Sequence, residues 1–358
     1  MTGPSWDASA FRASIQDTLD SFLGEQAHRL APLGDDAARL LAEARLSVSG
    51  GKRLRAAFCD WGFRAVSPDP DADTERALLR ACASLEVLHA SALVHDDYMD
   101  ASDTRRGRPS THRAFAEAHR ADAWAGSSAQ YGAAAAILLG DLLLSWADEL
   151  LRRCGLDLGR VMDALDVFDL CRSEVIAGQF LDVSAQARGL ADVDAAMRVL
   201  RYKSAKYSVE RPLHIGAALG GASPEAVADL AAFGLPLGEA FQLRDDLLGV
   251  FGDPEATGKP AGDDLVEGKR TVLVALALDA APAADAELLH RSLGTALDDD
   301  GVARLRGIID SSGAHAQVEQ VIDQLADLAL AALDRARIDD HARAVLRDLA
   351  EAATQRVV

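Results

Sequence analysis

An apolar run at helical spacing, Leu85, Val87, Leu88, Leu93 and Val94, leads straight into a block of acids, Asp96, Asp97 and Asp100. Spacing of this kind belongs to a packed helix, so the acids are expected to continue it. Asp96 and Asp100 then stand one turn apart on one face, with Asp97 beside them. Carboxylates crowded in this way repel one another unless a cation sits between them. Arg105, Arg106 and Arg108 follow at once, in a loop containing Gly107 and Pro109. Acids that demand a cation, next to guanidiniums, suit a ligand that brings its own negative charge and shares a metal, namely a diphosphate. Taken alone, the stretch also reads as a solvated helix end followed by an ordinary charged loop.

Helical period recurs along the chain, with no strand-period alternation and no fixed repeat. The expectation is one all-α domain over residues 1–358. Composition agrees: hydrophobic residues make up 49% and aromatics only 5%, and a core carried by Ala and Leu favours helix on helix. Two helices are expected over 8–46, broken at Leu33-Gly34, with long helices over 74–100 and 158–188 and helical sequence between them over about 112–153. An amphipathic helical tail covers about 285–358. The small residues from Gly126 to Ala136 allow helices to approach closely. The net charge of −19 argues against a nucleic-acid partner, which needs a basic face. Cys59, Cys82, Cys154 and Cys171 have no metal-ligand spacing and read as reduced core thiols of a cytoplasmic protein. The N-terminal residues do not resemble a signal peptide. The most apolar run, Gly132 to Leu144, is interrupted by Asp141 and too short to span a bilayer, so no membrane insertion is expected.

Other stretches carry chemistry. Ser49-Gly50-Gly51-Lys52-Arg53-Leu54-Arg55 joins two glycines to a basic helix start, whose amides and dipole favour an anion. His89 lies two turns before Asp96 and shares its face. Gln179 and Asp182 form a polar pair on an otherwise apolar helix, which is costly unless partnered. Lys203 and Lys206 flank Ser204 on a further helix. A second acidic pair, Asp245 and Asp246, follows Gln242 on a helix, and Lys259 and Lys269 lie in the loops beyond it.

In order and rough spacing, GGKRLR, LVHDDYMD with its trailing RRGRP, GQFLD, KSAKY, FQLRDD and GKP–GDDL–GKRT resemble the trans-isoprenyl diphosphate synthases, the polyprenyl synthetase family. The resemblance runs from Gly51 through Thr271. It implies an isoprenoid-synthase-type helical bundle around a deep central cavity, usually homodimeric. It also implies condensation of isopentenyl diphosphate with an allylic diphosphate, assisted by Mg²⁺, with three ions per site. Carried over, Asp96, Asp100 and Asp245 would hold Mg²⁺, supported by Asp97 and Asp246. Arg105, Lys203 and Lys259 would hold the allylic diphosphate. Gly51, Lys52, Arg55, His89 and Arg106 would hold isopentenyl diphosphate, with Lys269 also on the substrate side. Gln179, Ser204 and Gln242 would line the reacting region.

One departure stands out: Gly249 occupies the place of the second motif's usual third acid, where weaker metal binding is expected, with water filling the gap. Product length is argued from helix geometry. Ser91 and Ala92, one turn before Asp96, are small and would let a tail grow past, and Leu88 is about 5.4 Å deeper. Either Leu88 or a facing residue such as Tyr131 would form the floor. The expected product is geranylgeranyl diphosphate, the alternatives being a farnesyl or a longer chain. A class I terpene cyclase would share the first acidic motif but has no need of GGKRLR. A non-catalytic synthase subunit would be expected to have lost the acids.

Overall fold

The computed structural model describes residues 6–189, 191–252 and 262–354. These residues are all-α apart from one short hairpin, as expected. The elements run α1 (Ala8–Leu30), a 3-10 turn (Ala31–Leu33), α2 (Asp35–Ser47), α3 (Leu54–Arg64), α4 (Ala72–Met99), β1 (Thr104–Arg105), β2 (Arg108–Pro109), α5 (Thr111–Ala121), α6 (Ser128–Arg152) and α7 (Leu158–Arg188). They continue with α8 (Val193–Val199), a π-helix (Leu200–Glu210), α9 (Arg211–Gly220), α10 (Pro224–Phe251), α11 (Asp263–Glu267), α12 (Val272–Ala280), α13 (Ala283–Ser292), α14 (Asp299–Ser311), α15 (Ala314–Arg335) and α16 (Asp340–Thr354). Two compact units are formed. One takes the chain up to Asp60 together with Ser67–Leu165, and the other takes Trp61–Val66 together with the chain from Asp166 onward.

In the first unit α4 lies along α6, and α6 along α5. Glycine makes both approaches close. A Cβ on Gly140 would sit 2.1 Å from His95 Nε2, and one on Gly132 would sit 2.1 Å from the His112 carbonyl oxygen. Within the run from Gly132 to Leu144, the packed side of α6 is Gly132, Ala135, Ala136, Leu139, Gly140 and Leu143, while Ile137 and Leu138 are exposed. Among the described residues α4 is long and apolar enough to cross a membrane, yet 72% of its most apolar window is buried inside the protein, as in a core helix. The helical sequence expected over 112–153 forms two helices, α5 and α6. Ala123 (φ 50°) and Gly126 (φ 92°) take left-handed backbone, and Ser127 caps the new helix by accepting from the Gln130 N–H.

In the second unit α10 packs along α15 and the π-helix. Its core joins Leu243, Leu247 and Val250 to Leu265 of α11, Leu273 of α12, Ile309 of α14 and Ile322 of α15. The segment with Lys203 and Lys206 is π-helical where ordinary helix was expected. Pro212 has no N–H, and its ring crowds the carbonyl four residues back in α geometry. The wider turn lets the Arg211 N–H reach the Lys206 carbonyl, five residues back.

Candidate active site

The first unit carries the first acidic motif. Along the second half of α4 most residues are buried; His89, Ala92, Leu93, Asp96 and the cap residue Asp100 form one half-open stripe, while His95 is half-buried and Tyr98 and Met99 are exposed. Asp97 points the other way and is 4% exposed. It accepts from Arg105 Nε at 2.8 Å and also from Arg105 Nη2. Arg105 Nη2 lies 4.0 Å from Asp96 Oδ2 as well. The hairpin β1–β2 aims that guanidinium, and its turn residues Arg106 (φ 52°) and Gly107 (φ 73°) are both left-handed, the pairing that suits the twist of a two-residue hairpin loop. Asp97 is therefore the anchor that orients Arg105, while Asp96 and Asp100 face the open stripe.

Beside this end of α4 lies the glycine–basic loop. Gly51 needs its φ of +92°, and a Cβ on it would stand 3.4 Å from Arg106 Nη2. Arg106 Nη1 donates to the Ser49 carbonyl at 2.6 Å. Burial is the largest cause holding the Arg106 pKa below its usual value, followed by the positive charges of Arg53 and Arg105. Burial likewise pushes His89 well down, reinforced by Arg55 and Arg106, so the imidazole stays neutral. Gly51, Arg55, His89 and Arg106 are thus brought together from three stretches of sequence, with exposed Lys52 on the same loop. Cations crowded and partly desolvated in this way favour an anion among them. Arg53 differs from its neighbours: it is 5% exposed and donates to Glu86 at 3.1 Å and to the Val48 carbonyl at 2.6 Å. It ties the loop to α4.

Among the residues expected to set chain length, Ala92 lies on the open stripe and Leu88 is buried. Ser91 does not point along that stripe. It is 3% exposed and donates to the Gly140 carbonyl at 2.8 Å, because Gly140 brings α6 within reach. Tyr131 packs its ring with those of Phe115, His119 and Trp124, at centroid distances of 6.1, 5.5 and 5.2 Å.

In the second unit glycines again set the approach. A Cβ on Gly178 of α7 would meet the Lys203 nitrogen at 2.4 Å, and one on Gly238 of α10 would meet the Ala205 carbonyl oxygen at 2.4 Å. The π-helix is thereby held between α7 and α10, next to Gln179 on one side and one turn from Gln242 on the other. Lys203 Nζ pairs with Asp182 at 2.6 Å. Ser204 beside it is half-buried. Lys206 pairs instead with Glu174 at 2.9 Å, which also accepts from Arg211 Nε at 2.7 Å and Nη2 at 2.9 Å.

On α10, Gln242, Asp245 and Gly249 form a half-open stripe, and Gln242 Nε2 donates to Asp246 Oδ1 at 2.8 Å. Burial first, then the negative charges of Asp264 and Asp245, push the Asp246 pKa up to about 8. Lys269 lies 3.1 Å from Asp264 Oδ1 and 2.6 Å from Glu267 Oε2, so the substrate-side lysine expected from the sequence faces two acids of α11. Lys259 lies outside the described residues. Water was expected in the gap left by Gly249, but the Asp264 carboxylate occupies it.

The all-oxygen donors fit Mg²⁺. Among the described residues no three His, Cys, Asp or Glu side chains stand ready to enclose a metal by themselves. Mg²⁺ is ordinarily held by one or two carboxylates together with waters and substrate phosphates. Sequence reasoning left Glu86 and Asp264 without a role, and Asp182 without its partner. The signal for each was an acid on an apolar or cation-bearing stretch, which burial obliges to find a cation.

The sequence model of the Polyprenyl synthetase family matches residues 39–308. The chain is 35% identical over 276 residues to a short chain isoprenyl diphosphate synthase of Methanothermobacter thermautotrophicus, with 77% of each chain covered. It is 32% identical to a (2E,6E)-farnesyl diphosphate synthase of Mycobacterium tuberculosis, covering 86% of this chain and 80% of that one. The crystal structure of a geranylgeranyl pyrophosphate synthase from Corynebacterium glutamicum, complexed with isoprenyl diphosphate and magnesium, superposes with a TM-score of 0.95 at 41% identity over 98% of this chain and 100% of that one. With the motifs, the helical fold and this match in agreement, the chain belongs to the polyprenyl synthetase family and is a prenyltransferase.

Proposed function

We propose that this prenyltransferase condenses isopentenyl diphosphate with an allylic diphosphate, head to tail and in trans, and that geranylgeranyl diphosphate is its main product. The observation that carries this is the gathering of Gly51, Arg55, His89 and Arg106 into a cation-rich cluster on the same unit as Asp96, Asp100 and Arg105. A cyclase would have no use for that second anion site.

In this reading Asp96, Asp100 and Asp245 hold Mg²⁺, three ions per site, and Asp97 and Asp246 support them. When bound, the metal neutralises charge that develops on the departing diphosphate. Arg105, aimed by Asp97, and Lys203, aimed by Asp182, add fixed positive charge to the same group, with Lys259 as a third cation. Lys52, Arg55 and Arg106 grip the diphosphate of isopentenyl diphosphate beside the neutral imidazole of His89, and Gly51 lets the backbone approach. Ser204, Gln179 and Gln242 present neutral oxygens to the allylic cation without trapping it.

The family match runs unbroken across both units, which supports one synthase domain over 1–358. Phe180 is 71% exposed and Ile176 58% on α7, as suits a homodimer surface. The four buried cysteines suit a cytoplasmic protein.

The test is incubation with Mg²⁺, isopentenyl diphosphate and, separately, dimethylallyl, geranyl or farnesyl diphosphate, with dephosphorylated products sized by mass. A ladder ending at twenty carbons is expected, and chelating the metal should abolish turnover. A cyclic hydrocarbon made without isopentenyl diphosphate would overturn the reaction, and no turnover with any primer would point to a non-catalytic subunit.

A further inference from the structure

Gly249 interrupts the second acidic motif in the middle of α10, and its backbone does not require glycine. Its φ lies outside the left-handed region, and glycine weakens a helix interior relative to alanine. What requires glycine is a neighbour. A Cβ on Gly249 would lie 1.9 Å from Asp264 Oδ2 and 2.5 Å from its Cγ.

Asp264 reaches this place from α11, a single short turn set between two left-handed glycines, Gly262 and Gly268. Its other oxygen, Oδ1, lies 3.1 Å from Lys269 Nζ, and the Lys269 N–H donates to the Asp264 carbonyl at 3.0 Å. The residue is 8% exposed and its side-chain orientation is fixed: Oδ1 to the lysine, Oδ2 to the gap on α10. Gly249 is one turn after Asp245, on the same half-open stripe. The carboxylate missing from the α10 motif is therefore present in space, supplied by the next helix.

We propose that Asp264 is the third carboxylate of the second Mg²⁺ site, delivered across from α11 to the place that Gly249 leaves open. This rests on the metal-diphosphate role given above to Asp245. Gly249 and Asp264 form an exchangeable pair: the acid can stand on either helix, and not on both.

The experiment is a calorimetric Mg²⁺ titration of the full chain with inorganic diphosphate as the probe, alongside melting of the metal-free protein. Asp264→Asn keeps the shape and should weaken apparent Mg²⁺ affinity about 10–100-fold. Gly249→Asp alone should lower both melting temperature and affinity, since two carboxylates contend for one place. The double variant Gly249→Asp with Asp264→Gly should bind Mg²⁺ at least about tenfold more tightly than Asp264→Gly alone. Asp264→Asn with wild-type affinity, or a double variant no better than Asp264→Gly, would overturn the assignment while leaving the metal role of Asp245 intact. If Asp245→Asn also binds Mg²⁺ like the wild type, the metal-diphosphate reading falls with it.

Discussion

At the scale of single residues, the charged groups divide into those that tie the fold and those left facing outward. Arg53 and Arg55 differ by two positions, yet one is buried against Glu86 and the other acts on His89. His214 shows how a buried group writes itself into the pH response. It is 6% exposed, and burial, then the charges of Arg211 and Lys206, bring its pKa from 6.5 down to about 4. The native state thus holds fewer protons than the unfolded chain between those values, and stability falls as the pH falls through that window. The loss is on the order of 3 kcal/mol from this group, at about 1.4 kcal/mol per pKa unit. Denaturant melts at pH 6.5 and pH 4 should show the decline, and His214→Gln should flatten it. An equally steep decline in the variant would place the acid sensitivity elsewhere.

At the scale of elements, the site is built by glycines where helices touch. Gly140 admits His95, Gly178 meets the Lys203 backbone, and Gly238 meets the Ala205 carbonyl. None of these is a turn glycine; each is a place where a side chain would push two helices apart. Gly238→Ala is expected to destabilise the protein by roughly 1–3 kcal/mol, the usual range for overpacking. Because the displaced element carries Lys203 and Ser204, turnover should fall even under conditions where the variant is fully folded. Wild-type stability and rate would show that α10 and the π-helix can separate freely. The helical period announced these helices, but it could not announce that Pro212 would widen one of them or that Ala123 and Gly126 would separate α5 from α6. Those outcomes depend on which carbonyls and neighbours the backbone meets.

At the scale of the whole molecule, product length is the property to test. Ala92 lies on the half-open stripe of α4 with Asp96 and Asp100, one turn before the acids proposed to hold Mg²⁺. A phenyl ring there would stand in the path of a growing tail, so Ala92→Phe should shift the product from twenty carbons to fifteen or fewer. Ser91→Phe should act differently: its side chain is committed to α6, and the substitution should cost stability by pressing on Gly140. Product sizing together with melting separates the two. If both variants shorten the chain alike and neither loses stability, the assignment of faces on α4 is wrong.

The sequence by itself determined the all-α class, the identity of the acidic and basic motifs, and the family. Helical period, residue type and spacing are local properties, and six ordered motifs are legible without any contact being known. Only the tertiary structure decided which way each residue of a motif turns. Asp97 turns inward to Arg105 while Asp96 stays on the open stripe, Ser91 turns to α6 while Ala92 does not, and Asp264 fills the space that Gly249 appeared to leave vacant. The reason is that a helix fixes which residues share a face, whereas the packing of neighbouring helices decides which faces close.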